Sequence, residues 1–178
     1  MLSSTAANLY WIGRYMERAE FTCRLVEATL RLNALSDHAA GDQAWKSALS
    51  VVGASQAFAA RGVGASAAGI RRFLTLSAGN STSIRSCLAS ARDNARAART
   101  ALTVEGWEAI NRAWLLIRDR TKPGGAQATL HLVDSLKAEI EDELRRQLDG
   151  LEPEEVAVLI FLQQRLNREA EEAAKAAA

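Results

Sequence analysis

Three charged residues near the start of the chain, Arg14, Glu17 and Arg18, have the types and spacing that a binding or acid–base site requires. On one helix, Arg14 meets Glu17 three residues on and Arg18 four residues on. A guanidinium without a carboxylate partner can hold a phosphate or carboxylate through two parallel hydrogen bonds. The alternative is a structural ion-pair cluster, with the arginine stems lying over Trp11.

A second charged set lies farther along the chain, in a stripe of arginines. They follow one another at steps of seven, four and three residues and are Arg85, Arg92, Arg96 and Arg99. Asp93 and Asn94 lie beside them. Such a stripe can bind a polyanion, but it is also typical of a solvated basic face, or of partners for Glu17 and Glu20. These alternatives stay open.

A long helix, predicted from about residue 2 to residue 35, positions the first set. Its apolar seam recurs in steps of three and four and comprises Leu9, Ile12, Met16, Ala19, Cys23, Val26 and Leu30. A second stripe comprises Trp11, Phe21, Leu25, Ala28 and Leu32, with Tyr10 beside it. Because a helix that is apolar on two sides usually has neighbours around it, we expect this helix at the centre of the fold.

The rest of the chain also favours helices. Alanine is abundant, proline occurs twice and aromatic residues make up 6%. Further helices are predicted over about 42–52, 70–76, 83–102, 103–122, 126–149 and from 153 onward, capped by Asp42, a serine of 81–83 and Thr103. We therefore predict an all-α, antiparallel bundle of about six helices in a single domain spanning 1–178.

The sequence also predicts which side chains outside the two charged sets are buried and which are exposed. The inward side of the helix after Thr103 is predicted to be Trp107, Ile110, Trp114 and Ile117. Phe58 and Val63 are the sizeable anchors of a glycine-rich stretch over 53–69, which we expect to be the most mobile part. Arg71 and Arg72 are expected to be solvated.

Composition excludes several classes of function. The net charge of +1 gives no indication of a nucleic-acid or membrane partner, and neither a membrane-spanning run nor a secretory leader is recognisable. Cys23 and Cys87 fall on apolar seams, which indicates buried thiols in the cytoplasm. His38 and His131 have no spaced partners, so we predict no metal site and no cofactor.

The opening of the chain, residues 2–20 (LSSTAANLYWIGRYMERAE), resembles the alpha-E domain family, all-helical bacterial proteins named for their Glu-Arg motif. Later segments resemble further family signatures in order: 73–74 (FL), Asn80, 83–84 (SI), 91–96 (ARDNAR), 107–108 (WE) and Asn111. The resemblance covers about 1–118, within an alpha-E-like part spanning 1–122. Asp93 stands where the family usually has Glu.

Family members are considerably longer than this chain and carry a second Glu-Arg helix. The nearest candidate here, 161–170 (FLQQRLNREA), is a poor copy. We therefore interpret 126–178 as a C-terminal helical pair, divergent or engineered, with an alanine-rich end that frays. A bundle without the family's second half leaves an apolar seam open, so we expect self-association, most simply as a two-fold dimer.

The resemblance also implies a function. Alpha-E domains are linked to ATP-grasp-like proteins and to transglutaminase-like and protease-like partners, which implies a role in forming or processing peptide amide bonds. The family assigns no catalytic residue. The positions that match its two charged motifs are our candidate binding residues: Arg14, Glu17, Arg18, Arg92, Asn94 and Arg96.

The expected function is a non-catalytic helical binding module. One alternative is a structural or engineered bundle without activity. Another is an enzyme that uses Glu17 as a general base in an arginine-lined pocket. That role requires surroundings that stabilise a protonated carboxyl group, which neighbouring arginines oppose, and no nucleophile–histidine or metal constellation accompanies it.

Overall fold

The computed structural model describes residues 3–35, 37–62, 64–120 and 124–149. Within these ranges every regular element is helical, which confirms the predicted all-α class. The elements are α1 (Ser3–Leu35), α2 (His38–Val51), α3 (Ser55–Ala59), α4 (Ala67–Leu76), α5 (Ile84–Ala97), a 3₁₀ turn (Arg99–Ala101), α6 (Val104–Arg118) and α7 (Ala126–Asp149). The helix predicted from residue 153 and the alanine-rich end lie outside the described residues.

The chain divides into two compact units, residues 1–143 and 144–178. All side-chain contacts given below belong to the first unit. No helix in the described ranges combines the length and the apolar character that crossing a membrane requires.

Helix α1 provides the centre of the hydrophobic core. Its predicted seam is buried to 5% exposure or less at Ile12, Met16, Ala19, Cys23, Val26 and Leu30. It packs against α2, α4 and, most extensively, α5. Large side chains buried on the other helices include Trp45, Ile70, Phe73, Leu88, Leu136 and Ile140. Each such side chain stabilises the fold by about 1.5–3 kcal/mol through burial, and the predicted central position of α1 is confirmed.

The second apolar stripe of α1 is open to solvent. The exposed fraction is 47% for Trp11, 49% for Phe21 and 53% for Leu32. The expectation that neighbours cover both sides of α1 is therefore wrong for this side, because the described helices gather on the seam. The charges of the Glu-Arg motif consequently lie in water and not in a desolvated interior.

Two ion pairs show that α1 and α7 run antiparallel. Arg24 Nη2 lies 2.9 Å from Glu141 Oε1, and one turn along α1, Glu27 pairs with Lys137. From the first pair to the second, the residue number rises on α1, from 24 to 27, and falls on α7, from 141 to 137, so the two helices run in opposite directions. Helices α5 and α6 are antiparallel by the same criterion, through contacts described with the candidate site.

Capping residues set the helix starts. The predicted caps Ser83 and Thr103 are confirmed, since their hydroxyls accept hydrogen bonds from the first turns of α5 and α6. Helix α2 differs from the prediction. Its cap is Asp37, whose carboxylate accepts from the Ala40 amide at 2.8 Å, and Asp42 lies exposed within the helix. Two aspartates five residues apart are both chemically suitable caps, and the earlier one gives the longer helix.

The stretch predicted as a mobile loop over 53–69 contains the short helix α3. Phe58 is buried there, as expected, and packs edge-on against Phe73 with ring centres 5.1 Å apart. Val63 lies outside the described residues. Helix α4 begins at Ala67, earlier than the predicted start, because the Ser66 hydroxyl caps it by accepting from the Gly69 amide.

Asn80 joins the end of α4 to the start of α5. Its side chain is 3% exposed. The amide nitrogen donates to the Phe73 carbonyl at 3.1 Å, and the amide oxygen accepts from the Thr82 backbone N–H at 3.0 Å and the Thr82 hydroxyl at 2.7 Å. Ser83 adds a bond to the Ser77 carbonyl at 2.7 Å. The signature residues Asn80 and Ser83 thus have a structural role.

Arg71 is not the solvated side chain that the sequence predicts. It is half-buried, and its Nη2 donates to the Gly124 carbonyl at 3.0 Å, while its buried Nε has no hydrogen-bond partner among the described residues. Burial lowers the pKa of the Arg71 guanidinium. Arg72 is exposed, as expected. Arg71 therefore ties α4 to the turn before α7.

Candidate functional site

An open depression of about 360 Å³ lies on the solvent side of α1. We call this surface the Glu-Arg face, and its lining residues are Arg14, Glu17, Arg18, Glu20, Phe21 and Arg24. All of them come from one helix. Because residues three, four and seven apart share a helix side, the sequence alone could place them together.

Arg14 and Glu17 form an exposed ion pair. Arg14 Nη1 donates to Glu17 Oε2 at 2.6 Å, and the side chains are 39% and 54% exposed. A pair in this setting contributes at most about 1 kcal/mol to stability. Trp11, over which the ion-pair alternative places the arginine stems, makes its ring contacts with Tyr10 and Tyr15, whose ring centres lie 5.3 and 5.7 Å away.

Arg24 lies between two carboxylates. Its guanidinium donates to Glu20 Oε1 and, across to α7, to Glu141 Oε1 at 2.9 Å. The hydrogen bond to Glu20 is the main reason why the pKa of Arg24 is raised. Arg24 therefore joins α1 to α7 through ion pairs at the protein surface, where two carboxylates balance its charge.

Arg18 differs from its two neighbours. Its exposed guanidinium makes no ion pair or hydrogen bond with the residues that the structure describes. It lies near Cys87, where burial raises the pKa of the thiol to about 11 and the charge of Arg18 opposes that rise. Of the three guanidinium groups on the Glu-Arg face, Arg18 is the one that forms no ion pair with the described residues.

The second charged motif faces α6. Arg92 Nε donates to Asn111 Oδ1 at 2.7 Å, and its guanidinium carbon lies 6.0 Å from the centre of the Trp107 ring. Asn94 turns back on its own helix and donates to the Ser90 carbonyl at 2.8 Å. Arg96 is exposed and makes no side-chain hydrogen bond, ion pair or cation–π contact with the described residues.

An arginine in the first turn of α5 and another in the 3₁₀ turn after α5 continue the same pattern. Arg85 lies 5.9 Å from the ring centre of Trp114, and Arg99 lies 5.5 Å from that of Trp107. Arg85 also donates to the Arg120 carbonyl at 3.2 Å. Arg85, near the start of α5, contacts Trp114 near the end of α6, whereas Arg92, farther along α5, contacts Trp107 near the start of α6. The two helices are therefore antiparallel.

We call this set the arginine–tryptophan stripe, and its members are Arg85, Arg92, Arg96, Arg99, Trp107 and Trp114. The sequence prediction placed both tryptophans inward, whereas they are half-buried beneath arginines, and Ile110 and Ile117 alone of the four reach full burial. The alternative in which this stripe pairs with Glu17 and Glu20 is not observed, since those carboxylates pair within α1. The matching seven-residue spacing of arginines and tryptophans was a signal that the sequence analysis missed.

The structure does not bring the two charged motifs into one site. The first motif lines the Glu-Arg face, and the second contacts α6. Between the two sets, no hydrogen bond, ion pair or ring contact occurs among the described residues. They are therefore treated below as two separate surfaces.

Other reactive groups do not form a site in the described ranges. Both cysteines are free and buried, and burial raises the pKa of each thiol. A buried protonated thiol is a poor nucleophile. No cluster of three or more histidine, cysteine, aspartate or glutamate residues is placed to hold a metal ion in the part of the chain described.

A known family model matches most of the chain. The Alpha-E model, described as "a predicted alpha-helical domain with a conserved ER motif", matches residues 1–148. The match extends past the 1–118 region marked by the sequence motifs and includes most of α7. No curated protein and no solved structure matches the chain.

Proposed function

We propose that this chain, which belongs to the Alpha-E family, is a non-catalytic helical binding module. Its Glu-Arg face holds an anionic segment of a partner protein. The observation that carries this proposal is the open depression on α1, in which Arg18 has a guanidinium without a partner among the described residues.

Arg18 is the group expected to contact the anion. Arg14 and Arg24 already donate to Glu17 and Glu20, so their charges are largely satisfied. A guanidinium binds a carboxylate or phosphate through two parallel hydrogen bonds, and such charge-assisted bonds are about twice as strong as neutral ones. Arg18 therefore provides the positive charge that attracts an anionic group of the partner and the paired N–H donors that orient it.

The exposed aromatic residues around Arg18 favour a protein partner over a small anion. Phe21 lines the depression, and Trp11 lies two turns before Arg18 on the open side of α1. Aromatic residues and arginine are enriched at the cores of protein interfaces. A structural bundle without a partner has no use for this combination on its surface.

The enzyme alternative is less well supported. A general base at Glu17 requires a carboxylate in a cleft without a tight arginine partner, whereas Arg14 donates to Glu17 at 2.6 Å and the carboxylate is half exposed. The geometry therefore favours Glu17 as a residue that positions Arg14.

The resemblance supports a partner of the ATP-grasp-like or transglutaminase-like class, in the formation or processing of peptide amide bonds in the cytoplasm. Self-association is a second candidate use of the Glu-Arg face, favoured by the exposed Trp11, Phe21 and Leu32. A two-fold dimer stays our prediction. A monomer mass independent of concentration in sedimentation would contradict it.

The first test is a thermal titration with inorganic phosphate, ATP and a hexaglutamate peptide. A probe that binds only the folded state raises the Tm, by about 2–4 °C for each kcal/mol of binding free energy in a chain of this size. We expect the peptide to raise the Tm of the native chain, and Arg18→Gln to abolish the rise.

The matched control is Arg72→Gln, which removes an equally exposed arginine from α4. It should leave the peptide-induced rise unchanged. An equal loss in both variants would indicate a general charge effect, and no rise with any of the three probes would contradict the proposal.

A further inference from the structure

We propose that the arginine–tryptophan stripe of α5 and α6 is a second docking surface, and that its occupant is an acidic helix of a partner protein. The carboxylates of that helix repeat every seven residues. This surface is separate from the Glu-Arg face, so the inference goes beyond the function proposed above.

The first reason is charge without neutralisation. None of the four arginines, Arg85, Arg92, Arg96 and Arg99, forms an ion pair with the described residues. On the neighbouring α6, by contrast, Arg112 pairs with Glu139 at 2.8 Å and Arg118 pairs with Asp119 at 2.7 Å. The stripe therefore concentrates positive charge that the described fold leaves uncompensated.

The second reason is that hydrogen-bond donors remain available. Arg92 uses Nε for Asn111, which leaves both terminal nitrogens, and Arg85 uses Nη1 for a backbone carbonyl. Arg96 and Arg99 make no side-chain hydrogen bond with the described residues. Each of the four can still donate hydrogen bonds to a carboxylate.

The third reason is that the tryptophans hold the guanidinium groups in place. Trp107 lies beneath both Arg92 and Arg99, and Trp114 lies beneath Arg85, at 5.5–6.0 Å from ring centre to guanidinium carbon. Arginine side chains are costly to immobilise on binding. Stacking restrains them in advance, so less conformational entropy is lost when a partner docks.

The fourth reason is spacing, which selects the kind of partner. Arg85 and Arg92 are seven residues apart on α5, or about 10.5 Å along the helix axis, and Arg99 follows seven residues later in the 3₁₀ turn after α5. A second helix with carboxylates at seven-residue intervals has the same spacing, and the residual rotation of about 20° per heptad is absorbed when two helices wind around each other. A packed helix with that pattern meets Arg85 and Arg92 in register, and Arg99 lies at the end of the same stripe, over Trp107.

A nucleic acid fits this surface less well. Single strands bind proteins by stacking bases on exposed aromatic faces, whereas the faces of Trp107 and Trp114 already carry arginines. Asp93 is exposed one residue beyond Arg92, about 100° around the helix, and borders the stripe with negative charge. A narrow acidic ridge suits this geometry better than a broad polyanion does.

The test compares two fluorescein-labelled helical peptides of about 24 residues and identical composition. One carries glutamates at seven-residue intervals on one side, and the other carries them at five-residue intervals around the helix. We expect fluorescence anisotropy to show that the heptad peptide binds at least about fivefold more tightly and that added salt weakens it.

Variants locate the binding surface. Arg96→Gln and Arg99→Gln should each weaken the heptad peptide by roughly two- to fivefold, the effect of one exposed ion pair. Neither residue makes a side-chain hydrogen bond in the described fold, so circular dichroism should show both variants folded. Arg72→Gln is the matched control and should leave the affinity unchanged.

Several outcomes would overturn the inference. These are absence of binding, equal binding of the two peptides, or affinity unaffected by Arg96→Gln and Arg99→Gln. A thymidine oligonucleotide that binds more tightly than the peptide, with the same sensitivity to these variants, would assign the stripe to nucleic acid. A loss caused by Arg18→Gln alone would place the peptide on the Glu-Arg face, which supports the first proposal and rejects this one.

Discussion

The side chain of Asn80 uses both ends of its amide to hold two helices together. The nitrogen donates to the last turn of α4, and the oxygen accepts two bonds from Thr82 just before α5. No aliphatic side chain can replace this pattern, and aspartate cannot donate to the Phe73 carbonyl while it is ionised. Asn80 therefore fixes the angle at which α5 enters the core.

We predict that Asn80→Ala lowers the free energy of unfolding by about 1–3 kcal/mol, because it leaves the buried Phe73 carbonyl without a donor. Urea denaturation measures this change. The matched control is Asn94→Ala, which removes only a bond to the Ser90 carbonyl of the same helix and should change the free energy by less than about 0.5 kcal/mol. Similar losses in both variants would contradict the role given to Asn80.

The arginines show three different uses of one residue type. Arg24 is neutralised between Glu20 and Glu141, Arg92 lies on a tryptophan and an asparagine, and Arg18 has no partner in the described ranges. Their local sequence contexts do not distinguish these states. Only the identity of the facing helix does, which is why both structural and binding interpretations remained open before the fold was known.

At the scale of elements, the turn before α7 depends on one glycine. Gly124 has φ of 74°, and a Cβ built on it would lie 2.7 Å from the Ala128 Cβ. Its carbonyl also accepts the bond from Arg71. Gly125, the next residue, has open space around its Cβ position.

We predict that Gly124→Ala destabilises the chain by about 1–2 kcal/mol, since alanine at positive φ is strained and its methyl group meets Ala128. Gly125→Ala should be close to neutral. Thermal unfolding of the two single variants checks the difference. Equal melting temperatures would show that the turn relaxes without cost.

The elements that the sequence predicts correctly are those governed by local spacing. The buried seam of α1 follows from its three-and-four pattern, and the caps Ser83 and Thr103 follow from hydroxyls that precede apolar periodicity. The predicted start of α2 was wrong because Asp37 and Asp42 are both suitable N-cap residues, and the structure uses Asp37. The identity of a residue does not decide which of two suitable N-cap residues begins the helix.

The site is less predictable than the helices. The Glu-Arg face lies within one helix, so residue spacing alone brings its members together. The partners of Arg92 and Arg85 come from α6, and their identity depends on how two helices pack and in which direction. The sequence predicts that neighbouring helices cover both apolar sides of α1, and this is wrong for one side. The apolar residues of a helix show that a surface can be buried, but they do not show whether the same chain supplies the helix that buries it.

At the scale of the whole molecule, one largely buried ion pair connects the first described helix to the last. Lys137 of α7 donates to Glu27 of α1, and the two side chains are 18% and 15% exposed. The hydrogen bond from Lys137 is the largest cause that lowers the pKa of Glu27. Arg31 also pairs with Glu27.

We predict a pH-dependent contribution from this pair. Because the pKa of Glu27 is lower when folded than the unfolded value of about 4.3, its stabilisation is present above that pH and is lost as the pH falls through the folded pKa. Lys137→Met should cost about 1–2 kcal/mol at neutral pH and progressively less towards pH 3. Urea unfolding across this range measures the difference from the native chain.

Lys46→Met is the control for that measurement, because Lys46 is exposed on α2 and has no ion pair with the described residues. Its difference from the native chain should be small and independent of pH. A constant loss in Lys137→Met over the same range would indicate that packing, and not the ion pair, connects α1 to α7.

The four tryptophans occupy three different environments, which gives the protein its own optical reporters. Trp45 is 1% exposed and should emit at short wavelength, shielded from an aqueous quencher such as iodide. Trp11, 47% exposed beside the Glu-Arg face, should emit at longer wavelength and be quenched readily. Trp107 and Trp114 lie under arginine cations on the other surface. Occupancy of either surface can therefore be followed as a spectral change of unlabelled protein.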